Sequence, residues 1–353
     1  MISAIRATHD RRLVRLLRRL LTAAACAYAI GLLAFLLSSR FMGDQWWYAL
    51  LTNFLPVYFV PLVVLLPLMI VWRARATILL LIPVVLYAAV VFGRYYFPPP
   101  NAAAPNGDSV SVTTFNVSQY NRQKPAIIDW LRAQHADLVF LQEIGTPWKT
   151  DGIPELLDLY PYQIRTSLPS ERKGAAILSR FPLRNQQESQ SYFRVVAVIN
   201  GRLIALYNVS LPTPLRSRPR ELLYVNNRYV NPLWDMAWGY DETQRNEELD
   251  RLLQQVESDA LPVIAAGDFN MSEYSASYGA WSGMRDSFRE AGGGFGSTWP
   301  AFDRIGLSAM VLPFIRLDYI WHSGSMRATR AEVGNYLGSD HLPVSATIQL
   351  GEG

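Results

Sequence analysis

The chain has little cysteine and, in its first hundred residues, little acid. Its one cysteine among 353 residues, Cys26, excludes a disulfide framework, and its place inside an apolar run favours a small packing residue. Residues 1–100 contain ten arginines but only two acids, Asp10 and Asp44. No internal repeat is present. The scarcity of acids in residues 1–100 therefore divides the chain into two regions that differ in composition.

The net charge of these regions differs in sign. Residues 1–100 carry +8, whereas residues 101–353 contain 23 basic residues against 27 acids. The overall charge of +4 therefore belongs to the N-terminal region. Because non-specific nucleic-acid binding depends on Lys and Arg that neutralise phosphates, the acidic C-terminal region argues against a general DNA-binding surface.

Three uncharged apolar segments predict membrane-spanning helices at about residues 20–38, 46–72 and 77–93. Three prolines in the second segment predict a kink, which membrane helices tolerate. The third segment is close to the minimum length for a span. A cleaved signal peptide is the competing interpretation of the first segment, but the two later segments argue against it. We therefore expect the lipid bilayer to be a partner through three helices.

Arginines flank these segments unevenly. Six precede the first segment, and Arg73 and Arg75 lie between the second and third, whereas only Arg40 and Arg94 lie on the other side. The positive-inside rule then makes the N-terminus cytoplasmic. Three spans would make residues after 94 extracytoplasmic, and a re-entrant hairpin in the second segment would reverse that side.

A Pro- and Ala-rich stretch at 97–107 has the composition of a semi-extended linker. It predicts a membrane region at 1–96 and a separate domain at 108–353. In that domain, strand-like runs such as 109–117 alternate with helical patterns such as 243–258. Strands dominate, so periodicity alone predicts an α/β or α+β fold.

Five short motifs bring polar groups next to strand-like runs. In four, a polar or acidic group follows or ends the run, and in the fifth an acid and a histidine precede one. The motifs are Thr114-Phe115-Asn116-Val117, Leu141-Gln142-Glu143, Gly267-Asp268-Phe269-Asn270, Arg316-Leu317-Asp318-Tyr319-Ile320 and Ser339-Asp340-His341-Leu342-Pro343. Asp268 and Asn270 would share a face on an extended segment, although Gly-Asp and Asn also favour turns.

The order of these motifs resembles the endonuclease/exonuclease/phosphatase superfamily of metal-dependent phosphoesterases over residues 108–350. The resemblance implies a four-layer sandwich, with two mixed β-sheets packed face to face between outer helices. It also implies hydrolysis of a phosphodiester or phosphomonoester in nucleic acid or in a phospholipid head group. No protein partner can be inferred.

The resemblance implies a site for Mg²⁺ or Mn²⁺. Hard divalent ions prefer carboxylate oxygens and keep several waters, so one or two carboxylates suffice. By position in the motifs, Glu143 is the metal ligand, with Asn116 beside it and Asp340 nearby.

The remaining motif residues have catalytic roles by the same resemblance. Asp268 activates or orients the nucleophilic water, and Asn270 positions that water and the phosphate. His341 contacts the phosphoryl group, and Asp318 orients its imidazole, since a histidine in such a role needs its other ring nitrogen held.

One position departs from the family pattern. Ser210 stands where many members have a histidine, and a serine hydroxyl cannot carry a proton at neutral pH. Ser210, which can still donate a hydrogen bond, is a candidate substrate-binding residue together with Arg216, Arg218 and Trp299. The two guanidinium groups would suit an anionic substrate, although a solvated loop is the alternative, and Trp299 lies in a segment expected near the rim of the site. The alternative function is a catalytically impaired binding module or membrane receptor on the same fold.

Overall fold

The computed structural model describes residues 2–42, 45–96, 108–145, 153–168, 173–214, 239–301 and 313–351. Contacts between residues divide the chain into two compact units. One contains Met1–Tyr48 and Phe54–Arg94, and the other contains Ala49–Asn53 and Tyr95–Gly353. The predicted linker at 97–107 lies outside the described residues, so the domain boundaries drawn from the sequence remain a prediction.

The first unit is helical. Its elements are α1 (Ile2–Met42), the first three residues of α2 (Trp46–Thr52), a 3₁₀ helix (Leu55–Phe59), α3 (Leu62–Val71) and α4 (Arg75–Gly93). Helices α1 and α4 pack against each other. Small residues such as Ala25 and Ala29 are fully buried on α1, which permits close approach of a neighbouring helix.

Two described helical segments are long and apolar enough to cross a membrane, Arg12–Ser38 and Arg75–Gly93. The segment between them is bent by 66° between α2 and Leu55–Val71. The break directly precedes Pro56 in the first turn of the 3₁₀ helix, where the missing backbone N–H of proline is tolerated. The described residues therefore offer two spanning helices, or three if the bent pair forms one span.

The second unit contains most of the described chain. Its strands are β1 (Ser109–Asn116), β2 (Leu138–Ile144), β3 (Tyr162–Leu168), β4 (Lys173–Ser179), β5 (Leu183–Glu188), β6 (Tyr192–Ile199), β7 (Arg202–Ser210), β8 (Val263–Asp268), β9 (Met284–Asp286), β10 (Asp318–Ser323), β11 (Arg327–Val333) and β12 (Val344–Gln349). Its helices are α5 (Lys124–Gln134), α6 (Thr243–Glu257), α7 (Ala276–Gly279) and α8 (Ser287–Ala291), with a 3₁₀ turn at Pro154–Leu156.

The strands form two six-stranded mixed sheets. One has the order β11-β12-β1-β2-β4-β3, and the other has the order β5-β6-β7-β8-β10-β9. The pairs β1–β2 and β7–β8 are parallel, whereas β1–β12 and β8–β10 are antiparallel. These directions decide which strand ends meet at one edge.

Apolar residues fill three interfaces between four layers. Alternate residues such as Val112 and Leu206 meet between the sheets. On the outer faces, α5 packs Ile127 against one sheet and α6 packs Leu249 and Leu252 against the other. Truncating one of these buried leucines to alanine would cost about 2–5 kcal/mol. The four-layer sandwich expected from the motifs is confirmed.

Candidate active site

Polar side chains gather at one edge of the sandwich because of the strand directions. β1 ends at Asn116, its parallel neighbour β2 has Glu143 as its penultimate residue, and β8 ends at Asp268. β10 and β12 run antiparallel to β8 and β1, so Asp318 and His341 reach the same edge from strand beginnings. The expectation that Asp318 follows or ends an apolar run is therefore wrong, because it opens β10.

Asp268 is the central carboxylate of this edge and is 2% exposed. Its Oδ2 accepts a hydrogen bond from Nδ2 of Asn116 at 3.0 Å, which links the two sheets. Its Oδ1 accepts one from the backbone N–H of Asn270, also at 3.0 Å. Amide donors thus hold both oxygens of a buried acid.

Gly267 allows β8 to approach β7 closely enough for this arrangement. The residue has φ +155°, and a Cβ there would lie 1.9 Å from the carbonyl oxygen of Val209. Any side chain would push the strands apart. The glycine therefore fixes the register that sets Asp268 opposite Ser210.

Asn270 converges on Asp268 through a turn. Its φ is 46°, in the left-handed region that asparagine tolerates better than most residues. Its Nδ2 donates to Oδ2 of Asp268 at 3.2 Å and to the carbonyl of Leu211 at 2.8 Å. The expected alternation of an extended segment is therefore wrong here, because β8 ends at Asp268 and the chain turns back onto its carboxylate.

His341 lies between two buried carboxylates. Its Nδ1 is 2.8 Å from Oδ2 of Asp318, and its Nε2 is 3.7 Å from Oδ2 of Asp268. His341 is 5% exposed and Asp318 is fully buried. Its backbone N–H donates to the Ser339 hydroxyl, which itself donates to the Asn116 carbonyl at 2.6 Å. The ring therefore has a fixed orientation.

The pKa values of this pair move upward together. Burial raises the pKa of Asp268 to about 7, and the nearby charges of Asp318 and Glu143 add to the rise, while His341 opposes it. Burial alone would lower the pKa of His341, but attraction to Asp318 and Asp268 outweighs it and raises the pKa to about 10. At neutral pH the imidazole is therefore a cation beside a carboxylate that can exchange a proton.

Glu143 reaches the edge through a β-bulge. The register of β2 against β4 shifts between Leu141 and Ile144, and Glu143 has φ 54°. A bulge redirects a side chain, here toward Asn116, whose Nδ2 lies 3.1 Å from Oε1 of Glu143. One asparagine amide thus contacts both Glu143 and Asp268.

The residues of this edge fit a divalent cation. The acids Glu143, Asp268, Asp318 and Asp340 outnumber the one cation of this edge, His341, and carboxylate oxygens of Asp268 and Asp318 lie within 4.8 Å of one another. Among the described residues, the buried Oδ1 of Asp318 has no hydrogen-bond partner. Excess carboxylate charge and oxygen donors suit a hard ion such as Mg²⁺.

Comparison with known proteins assigns the chain to a family. Residues 113–341, more than half of the chain, match the model of the Endonuclease/Exonuclease/phosphatase family. The chain belongs to this family. Its members are divalent-metal-dependent hydrolases of phosphoester bonds, and the acidic edge described above lies within the matched residues. No curated protein matches the chain.

Solved structures agree on the fold. An endonuclease/exonuclease/phosphatase family protein from Bacteroides thetaiotaomicron has a TM-score of 0.50 and 15% identity, and the match covers 70% of this chain and 100% of that one. Truncated TDP2 from Caenorhabditis elegans has a TM-score of 0.50 and 19% identity, with 69% and 99% covered. At these identities the likeness shows the fold alone.

The structure describes the positions of two of the four candidate substrate-binding residues, Ser210 and Trp299. Ser210 ends β7, is 6% exposed and pairs with Asp268 in the β7–β8 ladder. Trp299 is half-buried, and its backbone N–H donates to the Ile315 carbonyl at 2.9 Å. Arg216 and Arg218 lie outside the described residues.

A buried arginine that the motifs do not include supports the Asn270 turn. Arg245 on α6 is 1% exposed, and its Nη1 donates to the Asn270 carbonyl at 2.9 Å. Its Nη2 lies 2.8 Å from Oε1 of Glu242. The sequence holds a signal for this residue, because Arg245 lies four and seven positions before the buried Leu249 and Leu252, on the apolar stripe of the helix.

A polar network between the sheets holds β2 next to its bulge. Nε2 of Gln142 donates to Oδ1 of Asn208 at 2.8 Å, and Nδ2 of Asn208 donates to the carbonyls of Leu141 and Ala176. Gln142 and Asn208 are fully buried. The glutamine before Glu143 is therefore a positioning residue, since buried polar groups that are satisfied specify one arrangement.

A second buried cluster, here called the arginine–acid network, supports the segment before Asp318. Arg316 donates to Asp286 at 3.0 and 2.5 Å and to Glu273 at 3.1 Å. Arg289 donates to both oxygens of Glu273, at 2.6 and 2.8 Å. Burial would raise the pKa of Asp286, but Arg316 outweighs it and keeps that pKa below its usual value.

Proposed function

We propose that this protein is a membrane-anchored, Mg²⁺- or Mn²⁺-dependent phosphoesterase. The observation that carries the proposal is the pairing of excess carboxylate charge with one oriented, protonated histidine at a single strand edge. A phosphoester needs cationic neutralisation, a positioned water and a donor for its oxygens. The side chains of this edge can provide each of these.

Glu143, Asn116 and Asp340 are the residues that would hold the cation. Glu143 is redirected by its bulge and shares the amide of Asn116 with Asp268. When bound, the ion would neutralise charge on the non-bridging phosphoryl oxygens.

Asp268 is the group that would orient and activate the attacking water. A pKa of about 7 makes it a suitable base near neutral pH, where proton acceptance is most effective. Asn270 would position the water and phosphate, because its turn holds the amide against the carboxylate of Asp268.

His341 would donate a hydrogen bond from Nε2 to a phosphoryl oxygen. Asp318 holds Nδ1 at 2.8 Å and keeps the ring protonated, which leaves Nε2 as the donor. Asp318 acts through the imidazole and is a positioning residue in this scheme.

Ser210 favours one alternative, a binding module that has lost turnover. A serine hydroxyl can donate a hydrogen bond to the leaving oxygen but cannot deliver a proton at neutral pH. In that alternative, cation and phosphoester would bind without hydrolysis. Restoring the family residue with Ser210→His would then raise turnover from background, whereas an active wild-type enzyme excludes the alternative.

The substrate class is a phosphoester of nucleic acid or of a phospholipid head group. The acidic domain disfavours a broad nucleic-acid surface, and apolar helices would hold the enzyme near lipids. We would incubate the full chain with DNA, RNA, sphingomyelin, phosphatidylinositol phosphates and a chromogenic diester, with Mg²⁺ or with chelator. Metal-dependent hydrolysis of any of them supports the proposal, and full activity in chelator contradicts it.

The catalytic domain would lie outside the cytoplasm. Arginines in the first half of α1 and at the α3–α4 turn favour a cytoplasmic N-terminus, and three spans would then export the domain. An alkaline phosphatase fusion at Asn106 should be active, and a cytosolic reporter fused there should be silent. The reverse pattern would mean that the bent middle segment does not cross.

A further inference from the structure

Asn53 is a buried asparagine of the second unit and follows α2 directly. It is 9% exposed, and its Nδ2 donates to the Ala49 carbonyl at 3.0 Å and to the hydroxyl oxygen of Tyr240 at 2.6 Å. Among the described residues, its Oδ1 has no hydrogen-bond partner. Because a buried polar atom without a partner costs stability, the contact favours a role for Asn53 in positioning Tyr240.

Tyr240 continues this contact toward α6. Its hydroxyl donates to Oε1 of Glu242, and the tyrosine is 6% exposed. Burial raises the pKa of Tyr240 and the charge of Glu242 raises it further, so the hydroxyl keeps its proton near neutral pH. The phenol therefore joins the Asn53 amide to the Glu242 carboxylate.

Glu242 is the charged partner of the arginine that supports the active-site turn. The same Oε1 lies 2.8 Å from Nη2 of Arg245, whose Nη1 donates to the Asn270 carbonyl at 2.9 Å. Arg245 also donates to two neutral groups, on Asn246 and Ser277. Because the guanidinium is buried, it needs the carboxylate of Glu242 to neutralise its charge, and the place of that carboxylate affects where the guanidinium lies.

Asn270 is the active-site end of this chain of contacts. Its backbone N–H and its Nδ2 both donate to Asp268, at 3.0 and 3.2 Å, while its carbonyl accepts from Arg245. Its φ of 46° is a conformation that residues other than glycine keep only when their surroundings hold it. The hydrogen bond from Arg245 is one of the contacts that do so.

We propose that this chain of hydrogen bonds, here called the Asn53 tether, positions the Asn270 turn against Asp268. The tether comprises Asn53, Tyr240, Glu242 and Arg245. The inference rests on the proposed function, in which Asn270 positions the attacking water and the phosphate. Turnover then depends on a residue of the apolar segment at 46–72. Since a misplacement of about 1 Å can cost about 10²-fold in rate, partial loosening of the turn should cost about tenfold.

Two substitutions in the full chain break the tether without changing a residue of the site. With the chromogenic diester and Mg²⁺, kcat should fall about tenfold in Tyr240→Phe and about threefold in Asn53→Ala, while KM stays within about twofold. Hydrogen exchange in detergent, followed by mass spectrometry, should be about tenfold faster in both variants for the peptide that contains Phe269 and Asn270. Wild-type exchange of this peptide in either variant would overturn the proposal.

The matched control is Tyr207→Phe. Tyr207 is fully buried, and its hydroxyl donates at 2.7 Å to Oδ2 of Asp259, which Arg194 binds at 2.6 Å. This cluster repeats the tyrosine–acid–arginine order of the tether but, within the described residues, makes no hydrogen bond to Asn270. The control should keep wild-type kcat and exchange of the turn. A loss equal to that of Tyr240→Phe would overturn the proposal by indicating general destabilisation.

A double-mutant cycle tests whether the tether acts through Asn270. Asn270→Gly removes the side-chain amide and accepts the positive φ, so Tyr240→Phe should change kcat by less than about twofold in this background. An undiminished loss contradicts the tether.

Hydrogen exchange separates this inference from the proposed function. Faster exchange of the turn in both tether variants, in a protein that hydrolyses no substrate, supports the tether and contradicts the phosphoesterase. Metal-dependent hydrolysis with unchanged exchange in the variants contradicts only the tether.

Discussion

Two buried charge clusters meet on the chain where Arg316 of one precedes Asp318 of the other by two residues. They differ in the ratio of acidic to basic side chains. The arginine–acid network joins Arg289 and Arg316 to two acids, each with a direct partner. The acidic edge around Asp268 and His341 has four acids and one cation. The network depresses the pKa of its Asp286, whereas the edge raises that of Asp268.

This difference separates a structural cluster from a functional one. Equal numbers of opposite charges neutralise one another and hold a segment in place. Excess charge of one sign in a buried site costs free energy unless a partner arrives. We therefore expect substitutions in the network to change stability, and substitutions at the edge to change turnover.

The largest expected effect is on stability, from Arg316→Met. Removal of a guanidinium that is 1% exposed leaves Asp286 and Glu273 without that partner. The free energy of unfolding should fall by about 3–5 kcal/mol. Denaturant unfolding of the detergent-solubilised chain, followed by near-UV circular dichroism, measures it.

The control for this substitution is Arg330→Met. Arg330 pairs with Glu332 at 2.8 Å but its side chain is 72% exposed, so its loss should cost about 0–1 kcal/mol. Equal losses from Arg316 and Arg330 would remove the distinction between the buried network and an ordinary surface pair.

Glu143→Gln should give the next largest effect, on turnover. The amide keeps the shape of the side chain but removes the charge that would hold the cation. Metal-dependent hydrolysis should fall by about 10³-fold, roughly 4 kcal/mol of barrier. The free energy of unfolding should stay within about 0.5 kcal/mol. A variant that unfolds as readily as Arg316→Met would place Glu143 among the structural residues instead.

His341→Gln should lower turnover by about 10²-fold, the low end of the range for general acid–base groups, because glutamine still donates a hydrogen bond. Asp318→Asn should cost less, since an imidazole without its partner still adopts the productive orientation part of the time. Steady-state rates of the wild type and the two variants on the best substrate measure which substitution lowers turnover more. A larger loss for Asp318 than for His341 would contradict the orienting role.

Much of this edge could be predicted because its residues occupy strand ends. The motifs containing Asn116, Glu143 and Asp268 end apolar runs, and His341 precedes one. The parallel pair β1–β2 brings Asn116 and Glu143 to one edge, and the antiparallel β12 begins just after His341 at the same edge. The two-sheet fold then followed from the resemblance that these motifs carry.

Other features could not be read from the motifs. The bulge at Glu143 depends on a positive φ that a glutamate does not indicate, whereas the turn at Asn270 was one of the two alternatives that the sequence left open. Arg245 acts through a tertiary contact with the Asn270 carbonyl. The 66° bend within 46–72 depends on where the helices break, and proline content gave only its presence.

The smallest expected effect is on the pH dependence of folding stability that His341 causes in the metal-free protein. The pKa of His341 is about 10, above the usual 6.5. Its protonation therefore contributes stability that is fully present below pH 6.5, and this contribution is lost as the pH rises through about 10. Asp318→Asn should lower that pKa and reduce the loss of stability between neutral and alkaline pH. Four histidines make an NMR titration assignable. An unchanged titration would contradict the pairing.

Cation binding tests the central claim most directly. The purified full chain is titrated with Mn²⁺, and bound ion is measured by electron paramagnetic resonance. We expect saturable binding that Mg²⁺ displaces, that Glu143→Gln abolishes and that Arg330→Met leaves intact. Wild-type protein that binds no Mn²⁺ would contradict the conclusion that the excess carboxylate charge of this edge serves a divalent cation.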